Sequence, residues 1–368
     1  FVVPFTRTPL NIAKFTLQRT PFAPVLPSVR KELMAGGVRA ELAKARLVTG
    51  SMMMASIGML AYGGIVTGGG PTDPGLRRTL MLTGWQPYSV KVPGGWMEYA
   101  RLEPLGSIFG MAADFVEISS DLGREEQDSL AVAVVGSLYK NLGSKTFLRG
   151  ISDVVDAIAD PDRELLRALQ GALTSSVPFS SLIRQTGQVV NPEVLEARKL
   201  LDGVRSLVPG FGPPAKRDIF GEKIRARIGL GDNVLGRMVG MFFPFDYSGE
   251  TDDPVAKELV KIGYKSTPLS LRRDGVELSY PQLNRLAELS GKGLRKELAK
   301  MFLNPGYQRS GDIIREGMVQ NLVANARKAA WFQLLSEDDD LAAERGGVLE
   351  EKFGQEGRTP EDTKKLQD

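Results

Sequence analysis

The sequence predicts a mainly α fold: an extended multi-helix architecture with one aromatic β-hairpin at about 88–101 and long Pro/Gly-rich connectors. Three observations predict it. Helix starts recur, written as a small polar residue followed by proline. Apolar residues at helical spacing follow most of those starts. Only one stretch shows a convincing alternation of the kind a strand needs.

The starts are Thr8-Pro9, Asp73-Pro74, Asp160-Pro161, Asn191-Pro192, Asp253-Pro254 and Thr359-Pro360. The polar side chain can cap, and proline suits the first helical position because its missing N–H would be unpaired there anyway. Ile151, Val154, Val155 and Ile158 form one helix face before Asp160; Leu165, Leu166, Leu169 and Leu173 follow it, as Val194, Leu201, Val204 and Val208 follow Asn191. Residues 29–67 read as one long helix or two, broken near Gly36-Gly37. Helices are also expected over 108–119, 129–140, 283–302 and 312–335, with a charged tail from Ser336.

The β signal is Tyr88-Ser89-Val90-Lys91-Val92, a Pro93-Gly94-Gly95 turn, and Trp96-Met97-Glu98-Tyr99. A smaller hairpin is expected where Val276 and Leu278 follow Asp274-Gly275. Segments 207–222 and 240–254 are rich in Pro and Gly and read as extended connections. The expected organisation is N-terminal helices over 1–70, a hairpin and helical region over 71–206, a connector over 207–254, a helical region over 255–335 and a charged tail over 336–368.

Composition narrows the chemistry. With 368 residues, 42% hydrophobic and 25% charged, the chain has the balance of a folded protein rather than a disordered one. A formal net charge of +3 makes no demand for nucleic acid as a partner. Histidine and cysteine are both absent, which excludes disulfides, Cys/His zinc sites, and Ser-His-Asp or Cys-His catalysis. The chain opens Phe1-Val2-Val3-Pro4 without an initiator Met and is expected to be a processed or excised part of something longer. Arg7, Lys14 and Arg19 interrupt any signal-peptide core.

Several motifs resemble chemical sites without meeting their requirements. Gly68-Gly69-Gly70 follows an apolar run as a phosphate loop would, but lacks the GxxxxGK[ST] pattern and runs into Pro71. Gly229-Leu230-Gly231 has no strand before it. Asp153, Asp156, Asp160 and Asp162 lack the Gly and Glu of a calcium loop, and Asp338-Asp339-Asp340 reads as a solvated run or a helix start. Glu98 and Glu103 could be a glycosidase pair, but Glu103 is expected to pair with a neighbouring Arg. Lys216-Arg217 and Arg272-Arg273 are ordinary surface pairs on this reading. No catalytic, cofactor-binding or metal-ligating residue is assigned.

The span 47–67, LVTGSMMMASIGMLAYGGIVT, carries no charge and has the length of a bilayer crossing, about 20 residues. Its small residues suit close helix packing, either in a membrane or in a tight bundle. Both readings stay open: a helix buried in an assembly, or contact with a host membrane.

The stretch 71–117 carries a distinctive order: Asp73-Pro74, then Gly84-Trp85-Gln86-Pro87-Tyr88-Ser89, then Tyr99-x-Arg101-x-Glu103-Pro104-Leu105-Gly106, then Ala113-Asp114. It resembles a domain associated with the large polyvalent proteins of phages and prophages, including internal virion, or ejection, proteins of short-tailed phages. The opening Pro4-Phe5-x-Arg7-Thr8-Pro9, the run Lys145-Thr146-Phe147-Leu148, the turn Val208-Pro209-Gly210 and Arg217-Asp218-Ile219-Phe220-Gly221 extend the likeness more loosely over 1–265. The resemblance implies a structural segment, in the capsid interior or tail lumen, that helps deliver the genome through the host envelope. Its partners would be copies of itself, portal, tail or other ejection proteins, and phage DNA. It implies no catalytic residues, and no cofactor is expected. Alternatives are a non-catalytic scaffold of a giant phage enzyme and a membrane-inserting module.

Trp85, Tyr88, Trp96 and Tyr99 would ring one hairpin, either as a folding nucleus or as a docking face. Phe211, Phe220, Phe242, Phe243 and Phe245 sit in the Pro/Gly-rich connectors. So much apolar surface must fold back onto the chain or be covered by a neighbour. These nine are the candidate interface residues.

Overall fold

The computed structural model describes residues 7–121, 137, 193, 215–225, 236–238 and 245–356. The chain is mainly helical, with a small three-strand antiparallel sheet. Its contacts divide it into two units: residues 1–192, 199–207 and 227–252 form the first, and 193–198, 208–226 and 253–368 the second. The hairpin region therefore shares a unit with the N-terminal helices.

In the first unit, α1 (Arg7–Leu17), α2 (Pro27–Met34), α3 (Gly37–Tyr62), α4 (Pro74–Met81) and α5 (Leu105–Asp121) accompany strands β1 (Ser89–Val92), β2 (Gly95–Glu98) and β3 (Tyr247–Gly249). The expected break near Gly36-Gly37 is where α2 ends and α3 begins; both glycines have positive φ (68° and 58°), which terminates a helix at little steric cost. Asp73 caps α4, accepting from the Gly75 and Leu76 amides at 2.6 and 3.2 Å. α3 packs lengthwise on α5. Gly50 permits the approach of Arg19, whose backbone oxygen would lie 2.0 Å from a Cβ at that position.

The hairpin forms as expected, with Ser89 opposite Glu98 and Val92 opposite Gly95. Pro93 and Gly94 make the two-residue turn, Gly94 supplying a φ of 82°. One expectation is corrected. Segment 240–254 is not only a connection, because β3 within it pairs antiparallel with β2, Trp96 opposite Ser248 and Met97 opposite Tyr247. Three residues, Tyr-Ser-Gly, are too few to show an alternation; their pairing partner lies about 150 positions earlier in the chain.

The span 47–67 is not one helix. α3 stops at Tyr62, and Val66 and Thr67 run beside β1, the Thr67 amide donating to the Ser89 carbonyl at 2.9 Å. Its helical part, 47–62, rises about 24 Å, short of the roughly 30 Å of bilayer hydrocarbon. Among the described residues no helix is long and apolar enough to cross a membrane.

The second unit holds α6 (Pro254–Lys261), β4 (Arg272–Arg273), β5 (Val276–Glu277), α7 (Tyr280–Gly291), α8 (Leu294–Phe302), α9 (Pro305–Gln308), α10 (Asp312–Glu337) and α11 (Asp339–Glu356). The small hairpin expected after Asp274-Gly275 is present. Its two turn residues both have positive φ (50° and 89°), the conformation for which Asp-Gly is suited. The expected helix 283–302 is two helices, parted at Lys292-Gly293, where Gly293 is left-handed (φ 77°). Leu283, Leu286 and Leu289 of α7 meet Ala330, Trp331, Leu334 and Leu335 of α10, and Val276, Leu278 and Leu341 complete that core. Asp338 is a cap as well as part of an acidic run: it accepts from the Leu341 amide at 3.0 Å. Apart from Ser137, which is helical, and Glu193, the expected elements at 129–140 and around Asp160 and Asn191, the acidic cluster 153–162 and Gly229-Leu230-Gly231 lie outside the described residues.

Candidate functional site

Gly68-Gly69-Gly70 has the backbone of an anion cradle, and the chain fills it with its own carboxylates. The Gly68 and Gly70 amides donate to the two oxygens of Glu117 at 2.7 and 2.9 Å. The Gly69 amide donates to Asp114 at 2.7 Å. Successive N–H groups pointing one way bind anions well. Here Asp114 and Glu117, three residues apart on α5, project from one helix face onto the turn. A Cβ at Gly68 would lie 2.5 Å from an Asp114 oxygen, and one at Gly70, where φ is 78°, would lie 2.4 Å from the Trp85 ring. Glycine is thus required twice for close approach.

Asp114 has no solvent exposure. Its other oxygen accepts the Tyr88 hydroxyl at 3.2 Å. Tyr99 donates its hydroxyl to the Thr67 carbonyl at 2.6 Å. Burial, reinforced by Asp114, Tyr88 and Glu117 nearby, raises the Tyr99 hydroxyl well above the usual phenol range and keeps it a donor. The Thr67 hydroxyl donates to the Gln86 carbonyl at 2.7 Å and accepts the Ser89 amide at 2.9 Å. Rings close the cluster: Tyr88 meets Tyr99 edge-on at 6.5 Å, and Tyr99 meets Phe109 at 5.7 Å.

The hairpin aromatics divide accordingly. Tyr88, Trp96 and Tyr99 are buried in the unit's own fold, and Trp85 is half-buried beside Gly70. Glu103 accepts the Ser107 hydroxyl at 2.6 Å, and Arg101 pairs with Asp246 at 3.0 Å. Of the connector phenylalanines, Phe220 is buried and Phe245 half-buried, while Phe211, Phe242 and Phe243 lie outside the described residues.

Phe220 belongs to a second feature, in the second unit. The 215–225 loop folds back so that the Phe220 backbone would lie 2.0 Å from a Cβ on Gly291, the last residue of α7. Arg217, far from an ordinary surface residue, bonds Asn284 and donates to the Gly221 carbonyl at 2.5 Å. Asp218 accepts the Phe220 and Glu222 amides at 2.9 and 3.0 Å. Burial nevertheless pushes the Asp218 carboxyl up to about 6. The Arg295 guanidinium lies 4.2 Å above the Phe220 ring and pairs with Asp253 and with Glu222, the latter at 2.9 Å. An open groove of about 570 Å³ follows, lined by Phe220, Glu222, Asp253, Lys292, Arg295 and Lys296 among others. The two carboxylates answer the Arg295 charge, leaving a groove of mixed sign.

Sequence reasoning missed Asp114 and Glu117 as structural residues. A signal existed: carboxylates on an otherwise apolar helix face need partners, and three consecutive glycine amides supply them. The Arg295 groove left no signal, because its residues come from three separated segments. Among the described residues no cluster of three or more carboxylates is placed to hold a metal ion.

Fold and site together define a mainly helical protein whose hairpin is sealed by an internal carboxylate–glycine turn. Compared with known proteins, the chain matches no family model, no curated protein and no solved structure.

Proposed function

We propose that this chain is a structural segment of a phage or prophage virion protein, assembling with copies of itself and with portal, tail or other ejection proteins. On this reading it resides in the capsid interior or tail lumen, meets phage DNA there, and acts in the host envelope during genome delivery. It is an assembly part rather than a catalyst.

One observation carries the reading. Four polar side chains of the signature region close inside the chain's own fold, whereas several large apolar side chains of α3 face solvent. Asp114, Glu117, Tyr88 and Tyr99 are engaged with glycine amides, a carbonyl and one another. Met52, Met59 and Tyr62 are 66%, 70% and 86% exposed. Buried, satisfied polar networks specify a structure, and exposed apolar surface specifies contacts.

The test is to probe purified particles of the producing phage or prophage with an antibody to this chain. The chain is expected inside DNA-filled particles and lost from particles that have ejected DNA in vitro. Its absence from particles, or a metal-dependent turnover of the full chain abolished by one Asp or Glu substitution, would overturn the reading.

A further inference from the structure

We infer that α3 is the self-association seam of this protein, pairing antiparallel with α3 of a second copy about a twofold axis near residue 50. This rests on the self-assembly part of the proposed function, not on its location in a virion.

The two faces of the helix differ in what covers them. Ala40, Ala43, Gly50, Met54 and Ile57 are buried against the unit's own helices, at alternating three- and four-residue steps once half-buried Leu47 is counted. Positions 38, 41, 45, 48, 52, 55, 59 and 62 follow the same alternation on another face, and every one is exposed. Large apolar residues dominate there: Val38, Val48, Met52, Met59 and Tyr62, with Leu42 beside them. A helix apolar on both faces is normally covered on both. Among the described residues, this one is covered on one.

The spacing selects the occupant. A repeat of 3.5 residues is the mark of a seam that receives another helix, knobs into holes. A helix lying on a bilayer follows the helical period of 3.6, which drifts about 20° per heptad away from such a stripe, and an irregular loop imposes no period. The six large side chains present on the order of 800 Å² of surface, which is the per-partner area of a standard stable interface and more than the largest patch on a typical monomer.

Charge selects the orientation. In a parallel pair, Glu41 would face its own copy within the seam, a like-charge contact. Antiparallel overlap of residues 38–62 about residue 50 sets Glu41 against Met59, Val38 against Tyr62, Val48 against Met52, and Ala45 against Ala55. The charged turns carrying Arg39, Glu41, Lys44 and Arg46 then lie beside the charge-free stretch after residue 46. The facing alanines let the two backbones approach closely.

Because the natural chain has no cysteine, engineered thiols report cleanly. Full-length Val38→Cys and Tyr62→Cys are prepared separately and mixed, then treated with a short bis-maleimide. Antiparallel pairing brings 38 next to 62 of the partner and keeps 38 about 36 Å from its own copy. The expected result is a covalent dimer in the mixture and none with either variant alone. Sedimentation should give twice the chain mass for the natural protein. It should give a monomer for Met52→Glu with unchanged far-ultraviolet circular dichroism. A monomeric natural chain would sink both this inference and the self-assembly it rests on. An oligomer that survives Met52→Glu and never links 38 to 62 sinks the seam alone. Cross-linking of Tyr62→Cys by itself shows a parallel pair and overturns the arrangement. Flotation of the natural chain, but not Met52→Glu, with anionic phosphatidylglycerol vesicles, without a dimer in solution, assigns the face to lipid instead.

Discussion

In the first unit, Asp114 has no exposure and takes the Gly69 amide and the Tyr88 hydroxyl. In the second, Asp274 sits on an exposed turn and takes the Trp331 indole N–H and the Arg345 guanidinium, each at 2.9 Å. Both carboxylates hold an aromatic side chain from the core, yet their surroundings differ. Asp114 is inside the packing, so whatever replaces it must satisfy the same donors without help from water. Asp274 stands at the rim, where water can replace a lost bond. The second unit relies instead on leucines stacked between α7 and α10. A core braced by buried polar bonds is sensitive to chemistry, and a core of leucines is sensitive to volume.

Substitutions test that contrast, and the three tryptophans allow each unit to be followed by itself. Trp85 and Trp96 lie in the first unit and Trp331 in the second. The largest loss is expected for Asp114→Ala, which strips the Gly69 amide and the Tyr88 hydroxyl of this acceptor. About 4 kcal/mol should be lost, read as a fall in the urea midpoint of the Trp85 and Trp96 fluorescence in a Trp331→Phe background. A loss below 1 kcal/mol would show that the buried carboxylate does not brace this core.

Leu286→Ala comes next, at about 3 kcal/mol, because the 1% exposed side chain leaves a cavity between α7 and α10. The unfolding transition of Trp331, in a Trp85→Phe/Trp96→Phe background, is the measurement.

Asp218 supplies a pH-dependent comparison. Its folded pKa of about 6 stands above the ordinary value of 3.8, so the native state holds the proton more tightly than the unfolded chain. Its contribution is therefore fully present below pH 4 and lost as pH rises through about 6, by about 3 kcal/mol. Asp218→Asn should flatten the second unit's stability across that window. An unchanged slope would show that this carboxyl is not the group responsible.

The smallest effect belongs to Trp331→Phe, followed by hydrogen exchange of the α10 amides. It removes one bond to Asp274, whose turn is open to water, and a little volume. About 1 kcal/mol is expected. A loss as large as that of Asp114→Ala would erase the distinction between buried and rim carboxylates.

The sequence by itself determined the elements whose causes are local. Asp73-Pro74 and Asp253-Pro254 start helices, because an acceptor two or three residues ahead of an amide caps it. Pro93-Gly94 and Asp274-Gly275 turn hairpins, because φ at one or two residues sets the turn. The helical class follows from the period of the apolar residues. Tertiary structure alone decided which partners those elements found. β3 becomes a strand because β2, about 150 residues earlier, offers free amides and carbonyls. Gly68-Gly69-Gly70 becomes a closed turn because α5 delivers Asp114 and Glu117 some 45 residues later in the chain. The break of the charge-free span at Tyr62 also follows from pairing, since Ile65 and Thr67 bond to β1. Local rules act over a turn or two of chain, whereas pairing across tens of residues depends on which surfaces the completed fold brings within hydrogen-bond reach.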